Sequence, residues 1–447
     1  MGWRILGTLV VSLAVVRVGW AQTYLLSETS QAGDCFRIHL DMTLSGEMRV
    51  SKEGKPVSLK LEATATHEFP ERILHVASDG LPENAARVYE KAKAVITVDK
   101  DPSDRSLRAE RRLLVAQRNK DRLVVYSPTG PLTREELELT SEHFDTLALP
   151  GLLPGRAVSV GETWKVPNTI AQALCSFEGL VEQNLVCKLE EVKDQAARVS
   201  ITGSATGIDL GALAKLSIEA CYHYDLNSKR LTRLDWKQKD ERDQGPTSPA
   251  TSVQTTVVLT RNTSEQPATL SDVALISVPE GSELPMQLTQ LEYRDAKGRF
   301  DMLYGRDWQT VSQGNEHVVM RLMDRGDFVA QVTLTPWTKA EKGKHLSAEE
   351  FRQAMAETPG WEPEDELQAG EVPAEGGRWI YRISTLGELD GIKVMQNFYL
   401  VVGPEGHQVV LAFTMPPKQA DRLGTRDLAM AASIDFPSIS QVSDKPK

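Results

Sequence analysis

The 447-residue chain predicts an α+β protein built mostly of antiparallel β-structure. Three observations carry this reading. Stretches that alternate apolar and polar residues follow one another with only short turns between them, which favours an antiparallel meander. A polar, Pro- and Gly-rich passage at 263–288 breaks that pattern and reads as a linker between two domains. Beyond it, a capped helix and a closing amphipathic helix flank further alternating stretches.

The N-terminus comes first in chain order. Met1 to Arg4 is short and basic, Ile5 to Val16 is apolar, and Gly19-Trp20-Ala21 supplies small residues before a cleavage point. Residues 1–21 therefore read as a secretory signal peptide, whose twelve-residue apolar run, ended by Arg17, is too short for a spanning helix of roughly 20 residues. The expectation is an exported chain, periplasmic or secreted, with no transmembrane segment after cleavage. Hydrophobic content of 40% and charged content of 25% suit globular domains with real cores. Net charge is −11, and loss of Arg4 and Arg17 makes it −13. Such a chain is a poor general partner for nucleic acid, and none is expected.

Residues 22–262 read as one β-rich domain, a meander or half-barrel with one helix. Cys35 to Met42 and Leu59 to Thr66 alternate as strands. Leu81, Ala85, Val88, Ala92 and Val95 fall at helical spacing and predict the helix. A hairpin follows, with arms 111–117 and 122–126. Leu149 to Gly155 is punctuated as a connection. Strands are then expected over 185–192, 197–204, 214–224, 230–238 and 252–260, with a turn across Asp240 to Pro249.

The second domain, 289–437, opens with a strand at Arg299 to Tyr304. A hairpin turns at Asp324 to Asp327. Ser347 and Glu350 form a capping box, with Leu346 and Phe351 as the staple. Three strands follow from Trp379, Ile392 and Gln408, and a helix closes the domain after Pro416-Pro417. Residues 438–447 are a polar tail.

The order and particular residues of this domain resemble the Mog1/PsbP-like fold. Gly298-Arg-Phe with Tyr304-Gly-Arg-Asp-Trp308 is similar to that group's "F…YP…W" opening, although Gly305 replaces the usual Pro. Ala330 to Leu334, Gln396 to Val401, Val410 to Thr414 and the closing Ala432 to Phe436 match in order. The resemblance implies an antiparallel sheet with helices and a protein-binding or accessory role. Leu152-Leu-Pro-Gly155, Val158, Val160-Gly161 and Trp164 resemble an "LLPG..V.VG..W" pattern of uncharacterised bacterial envelope proteins. The broad plan of the first domain, 22–262, is also similar to half-barrels that carry lipids in the bacterial periplasm.

No nucleophile elbow, His-Glu-x-x-His, phosphate loop or dinucleotide motif is present, so no catalytic, metal or cofactor residue is assigned. Arg105, Arg108, Arg111 and Arg112 form a basic stretch. It reads either as an anion patch or as the solvated face of a hairpin carrying Glu110 and Asp121. Glu357 to Glu371 is acidic, lacks the alternating calcium-loop pattern, and reads as a solvated loop. Trp308 and Trp379 read as core, whereas Trp337 and Trp361, beside prolines, are candidates for a partner surface. Asp390 and His407 lie at strand ends, where turn chemistry accounts for Asp390-Gly391. The four cysteines allow two disulfides, Cys175 with Cys187 being favoured by its short loop. Four free thiols are the alternative. The functional expectation is a non-enzymatic binding or scaffold protein of a bacterial envelope. Its C-terminal domain would take a protein partner and its N-terminal domain an apolar or lipid-like ligand. The alternative is a hydrolase with a dispersed site.

Overall fold

The structure is a computed structural model that describes residues 22–437 apart from 53–54, 120–121, 142–143, 280, 282, 285 and 325. The expected signal segment and the polar tail lie outside the described residues. The N-terminal part contains β1 (Thr23–Leu26), β2 (Cys35–Lys52), β3 (Lys55–Val76), β4 (Pro82–Val88), β5 (Lys91–Val98), β6 (Asp101–Ser106), β7 (Leu113–Asn119) and β8 (Arg122–Tyr126). After α1 (Arg134–Ser141) come β9 (Arg156–Ser159), β10 (Thr163–Lys165) and α2 (Asn168–Leu174). The run ends with β11 (Gly179–Gln183), β12 (Val186–Lys193), β13 (Ala196–Asp209), β14 (Ala212–Asp225), β15 (Arg230–Arg242) and β16 (Ala250–Thr263).

Fourteen of these strands form one antiparallel sheet, along the path β10-β12-β13-β14-β15-β16-β2-β3-β4-β7-β8. The meander from β12 to β16 follows the alternation in the sequence. Its turns use left-handed residues, Asp194 with Gln195 and Leu210 with Gly211, which suit tight hairpins. Strand β3 serves two neighbours. Leu61 to Glu68 pairs with β5, and Glu71 to Val76 pairs with β4. Pro70, which has no N–H to leave unpaired, sits at that switch.

The helix expected over 81–95 is instead β4 and β5. Along β5, Ala92 and Ala94 are buried while Lys91 and Lys93 are exposed, a period-two pattern hidden by the helical spacing of the larger residues. Pairing with the long β3 decides the outcome, because β propensity follows context. Leu149 to Gly155 is also more than a surface connection. Its first part lies in a 3-10 segment, Thr146–Leu152, whose Leu147, Ala148, Leu149 and Leu152 are buried in the sheet's core. The Leu152 carbonyl accepts hydrogen bonds from Trp164 Nε1 at 3.0 Å and Tyr222 OH at 3.3 Å, which fixes this segment against the sheet.

Past a buried anchor at Leu270 and Leu275, which pack on the far side of β3, β4 and β7, the chain forms α3 (Met286–Thr289) and the hairpin β17 (Leu291–Arg294) with β18 (Asp301–Tyr304). The C-terminal sheet contains β19 (Trp308–Gln313), β20 (Val318–Asp324), β21 (Asp327–Trp337), β22 (Trp361–Val372), β23 (Trp379–Leu389), β24 (Ile392–Val402) and β25 (Gln408–Met415). Its order is β19-β20-β21-β25-β24-β23-β22. The helices are α4 (Ala348–Ala356), α5 (Ala420–Leu423) and α6 (Arg426–Ser433). The Ser347–Glu350 capping box is formed in full at α4.

The two parts share one apolar core, in which Leu132, Leu291 and Trp308 all take part. Polar contacts add to it. Leu132 and Leu291 form a β-bridge. Arg134 donates to the carbonyls of Arg306 and Trp308, and Arg306 donates back to Val125 and Thr289. Arg108 holds Glu136 through Nε and Nη2 at 2.7 Å each and reaches Glu292 of β17 through Nη1 at 2.8 Å. Burial alone would raise the Glu136 carboxyl, but Arg108 and the Thr133 backbone hold it below its usual value. Removing Arg108 leaves Glu136, 4% exposed, without its counter-charge. Arg108→Ala is therefore expected to cost about 3 kcal/mol or more in urea unfolding. A loss under about 1 kcal/mol would show that the pair contributes little.

Candidate functional site

The site follows from the direction of side chains along the central strands. Residues two apart share a face. On β15 that face carries Leu234, Trp236, Gln238 and Asp240. On β16 it carries Val253, Thr255 and Val257, and on β2 it carries Met42 and Leu44. The register aligns these into rows. Trp236 lies opposite Val257, which lies opposite Met42. Gln238, Thr255 and Leu44 form the next row, and Asp240, Val253 and Gly46 the third. Gly46 has no substitute here, since a Cβ would stand 2.2 Å from the Ser252 carbonyl oxygen.

These rows floor a cavity of about 370 Å³, walled by Phe144, Leu174, Cys175, Glu178, Asp209 and Arg242. Phe144 meets the Trp236 ring edge-on at 5.8 Å. The cavity therefore lies where the cover formed by Thr146–Leu152 and α2 ends. The same face continues beyond it. Met48 and Val50 on β2, and Val57, Leu59, Leu61 and Ala63 on β3, are only half-buried, while their neighbours Glu47, Arg49, Ser58, Lys60 and Glu62 are exposed on the other side.

One end of the cavity is charged. Arg242 donates to Asp209 at 2.7 Å. Glu178 accepts the Gly211 N–H at 3.3 Å. The Oδ1 of Asp240 is shielded from solvent and accepts no hydrogen bond from the described residues. Burial, with the Asp209 carboxylate adding to it and Arg242 opposing, pushes the Asp240 carboxyl up to about 6. Burial and Asp240 together push the Cys175 thiol up to about 12, so it stays protonated. The arrangement is a trough with aliphatic rows along its floor and carboxylates at one end, and the Cys175 thiol beside them is kept out of its thiolate form.

A larger groove of about 1020 Å³ lies on the opposite side of the sheet, beneath the segment around Leu275 and Val278. Ion pairs between Arg72 and Asp272 and between His75 and Glu83 line it. Its two carboxylates, Asp272 and Glu83, are each paired with a cationic or imidazole group, whereas the Asp240 Oδ1 accepts no hydrogen bond from the described residues.

Of the residues singled out from sequence, Cys175 lines the cavity and the others lie elsewhere. The arginines do not form an anion patch. Arg105 pairs with Glu138 and Arg108 with Glu136 and Glu292, while Arg111 donates to the carbonyls of Pro131 and Thr129. Of the four, Arg112 is exposed. Trp361, expected on a surface, is 5% exposed and packs edge-on against Phe398. Trp337 is half-buried against the same small core. The acidic stretch is not a loop, since most of it is the edge strand β22, with its carboxylates turned to solvent. Asp390 and His407, both expected at strand ends, sit beyond opposite ends of β24. All four cysteines are free thiols. Cys187 lies on β12 inside the core with its sulfur near the Leu152 carbonyl, and Cys175 lines the cavity after α2. The turn expected across Asp240 to Pro249 begins later, because β15 runs on to Arg242. Continuing the Leu234–Trp236 alternation by two steps would have found Asp240.

No family model matches the chain, and no curated protein matches it. Among solved structures the chain is similar to the cyanobacterial PsbP of Synechocystis, at 15% identity over 36% of this chain and 99% of that one, with a TM-score of 0.27. It is similar to the Ran-binding protein Mog1p of Saccharomyces cerevisiae, at 12% identity over 34% and 97%, with a TM-score of 0.28. A Bacteroides thetaiotaomicron structure matches at 14% identity over 34% of this chain, with a TM-score of 0.26, and the match spans about half (49%) of that chain. The expected resemblance to the Mog1/PsbP-like fold thus reappears as distant, partial likenesses. Among the described residues no helix is long and apolar enough to cross a membrane.

The Asp240 carboxyl holds its proton more tightly in the folded chain, near 6 against an ordinary 3.8. Stability from this group therefore falls as pH rises through that window and stays low above it. Asp240→Asn, which cannot ionise, is expected to be more stable than the native chain by on the order of 1–2 kcal/mol at pH 8. The gap should close as pH falls from 6 towards 4. Thermal unfolding across this range checks it, and a gap independent of pH would contradict the assignment.

Proposed function

We propose that the protein is a non-enzymatic binding protein whose N-terminal sheet holds a ligand with an apolar chain. The observation that carries this is the incomplete cover of the sheet's inner face. Burial of apolar area contributes roughly 25 cal/mol per Å², so a half-exposed row of Met, Val and Leu is an open source of binding energy. The rows lead into a cavity of a size that suits part of such a chain. In this reading residues 22–262 form the ligand-holding domain, 263–288 the connection, and 289–437 a domain that takes a protein partner. The apolar N-terminal run supports export to a bacterial envelope compartment. The protein-partner role rests on the sequence resemblance of the last third.

The test is native mass spectrometry of the protein purified gently from its own host, beside a denatured control. The expected result is an extra mass that is lost on denaturation and extracts as lipid-like material. Leu44→Glu, which places a charge on the trough floor, should abolish it. A clean apo mass in the native chain, with no uptake of added long-chain amphiphile, would overturn the proposal.

A further inference from the structure

We propose that the trough selects amphiphiles whose head is a hydrogen-bond-donating cation, such as a protonated amine at the end of an apolar chain, and rejects carboxylate and phosphate heads. This rests on the reading of the inner face as a ligand site and names the ligand's head group.

The charged end of the cavity carries three carboxylates, Asp209, Glu178 and Asp240, against one cation, Arg242. Arg242 is already committed, bonding to Asp209 at 2.7 Å and reaching the Pro249 carbonyl at 3.4 Å. Among the described residues Glu178 accepts one backbone N–H, that of Gly211. Asp240 has one oxygen out of solvent with no donor among the described residues. A shielded carboxylate without a donor is costly, and a ligand ammonium supplies both the missing hydrogen bond and the missing charge. A carboxylate head at the same place would face like charges and leave Asp240 unsatisfied.

Placement supports the pairing of tail and head. The aliphatic wall lies on β2 and β16, at Met42, Leu44, Val253 and Val257, while the acids stand on β13, β15 and the residues after α2. A chain lying along Met42 and Leu44 brings its end to Asp240 through the rows that join these strands. Two further polar groups of the wall do not compete for the cation. The Gln238 carbonyl oxygen is taken by Trp236 Nε1 at 2.8 Å, and the Cys175 thiol is held protonated.

Isothermal titration with decylamine and with decanoate, both at pH 8, tests the proposal on the native chain and on Asp240→Asn. Decylamine is expected to bind at least about ten-fold more tightly, which corresponds to about 1.4 kcal/mol. Asp240→Asn should cut that preference to about three-fold or less while leaving decanoate binding unchanged or improved. Equal binding of the two probes, or a preference that survives Asp240→Asn, would overturn the head-group assignment while leaving the trough itself standing. Failure of both probes to bind would overturn the trough reading as well.

Discussion

The fold is governed by a sheet whose apolar face is longer than the structure that covers it. Fourteen paired strands create one continuous inner face, and such a face must be shielded from water. The chain supplies a cover from its own middle. Thr146–Leu152 and α2 lie against Tyr222 and its neighbours, tied down through the Leu152 carbonyl. This cover closes the face over β12 to β15 and stops at Phe144 and Leu174. Past that point Met48, Leu59 and Leu61 keep the apolar parity of the strands but are only half-buried among the described residues. The cavity is the edge of the cover, and its contents follow from which strands lie beyond it.

Charge has a second, structural part in the molecule. Arg87 is buried beside Glu71 and Thr146, Arg261 stacks on Phe36 at 3.6 Å while bonding Glu28, and Arg108 joins the two halves of the chain. Arg87 and Arg108 each satisfy more than one acceptor with the planar fork of the guanidinium, whereas Arg261 combines one carboxylate with the Phe36 ring. These ions are compensated, so they hold the scaffold and leave no site. Asp240 is different because its neighbours are themselves acidic. The contrast between paired arginines and an unpaired aspartate, rather than the overall acidity of the chain, is what marks the trough.

Much of this architecture is legible in the sequence. Alternation with tight turns gives β12 to β16, and the Ser347–Glu350 box marks the start of α4 because its chemistry is local. The failures have tertiary causes. Leu81 to Val95 has helical spacing, yet the unmatched edge of β3 captures it as β4 and β5. The acidic stretch after Trp361 shows no alternation because β22 is an edge strand exposed on both faces over most of its length. Its carboxylates and Pro363 suit an edge that must not recruit another strand, and its bulges break the register further. Trp361 was misplaced for the same reason, since its pocket against Phe398 is made by the distant β24. The acidic end of the trough needs residues from 178 to 242 brought together, which no local pattern reveals beyond the inward parity of Asp240.

The central claim is that an apolar chain lies on the inner face of the N-terminal sheet. Photo-crosslinking with an alkylamine bearing a diazirine midway along its chain, followed by peptide mapping, tests it most directly. The account predicts label on peptides containing Met42, Leu44, Leu174 and Val253, competed away by unlabelled decylamine. Label concentrated on the groove around Leu275 and Ile276, or on the C-terminal sheet, would contradict it.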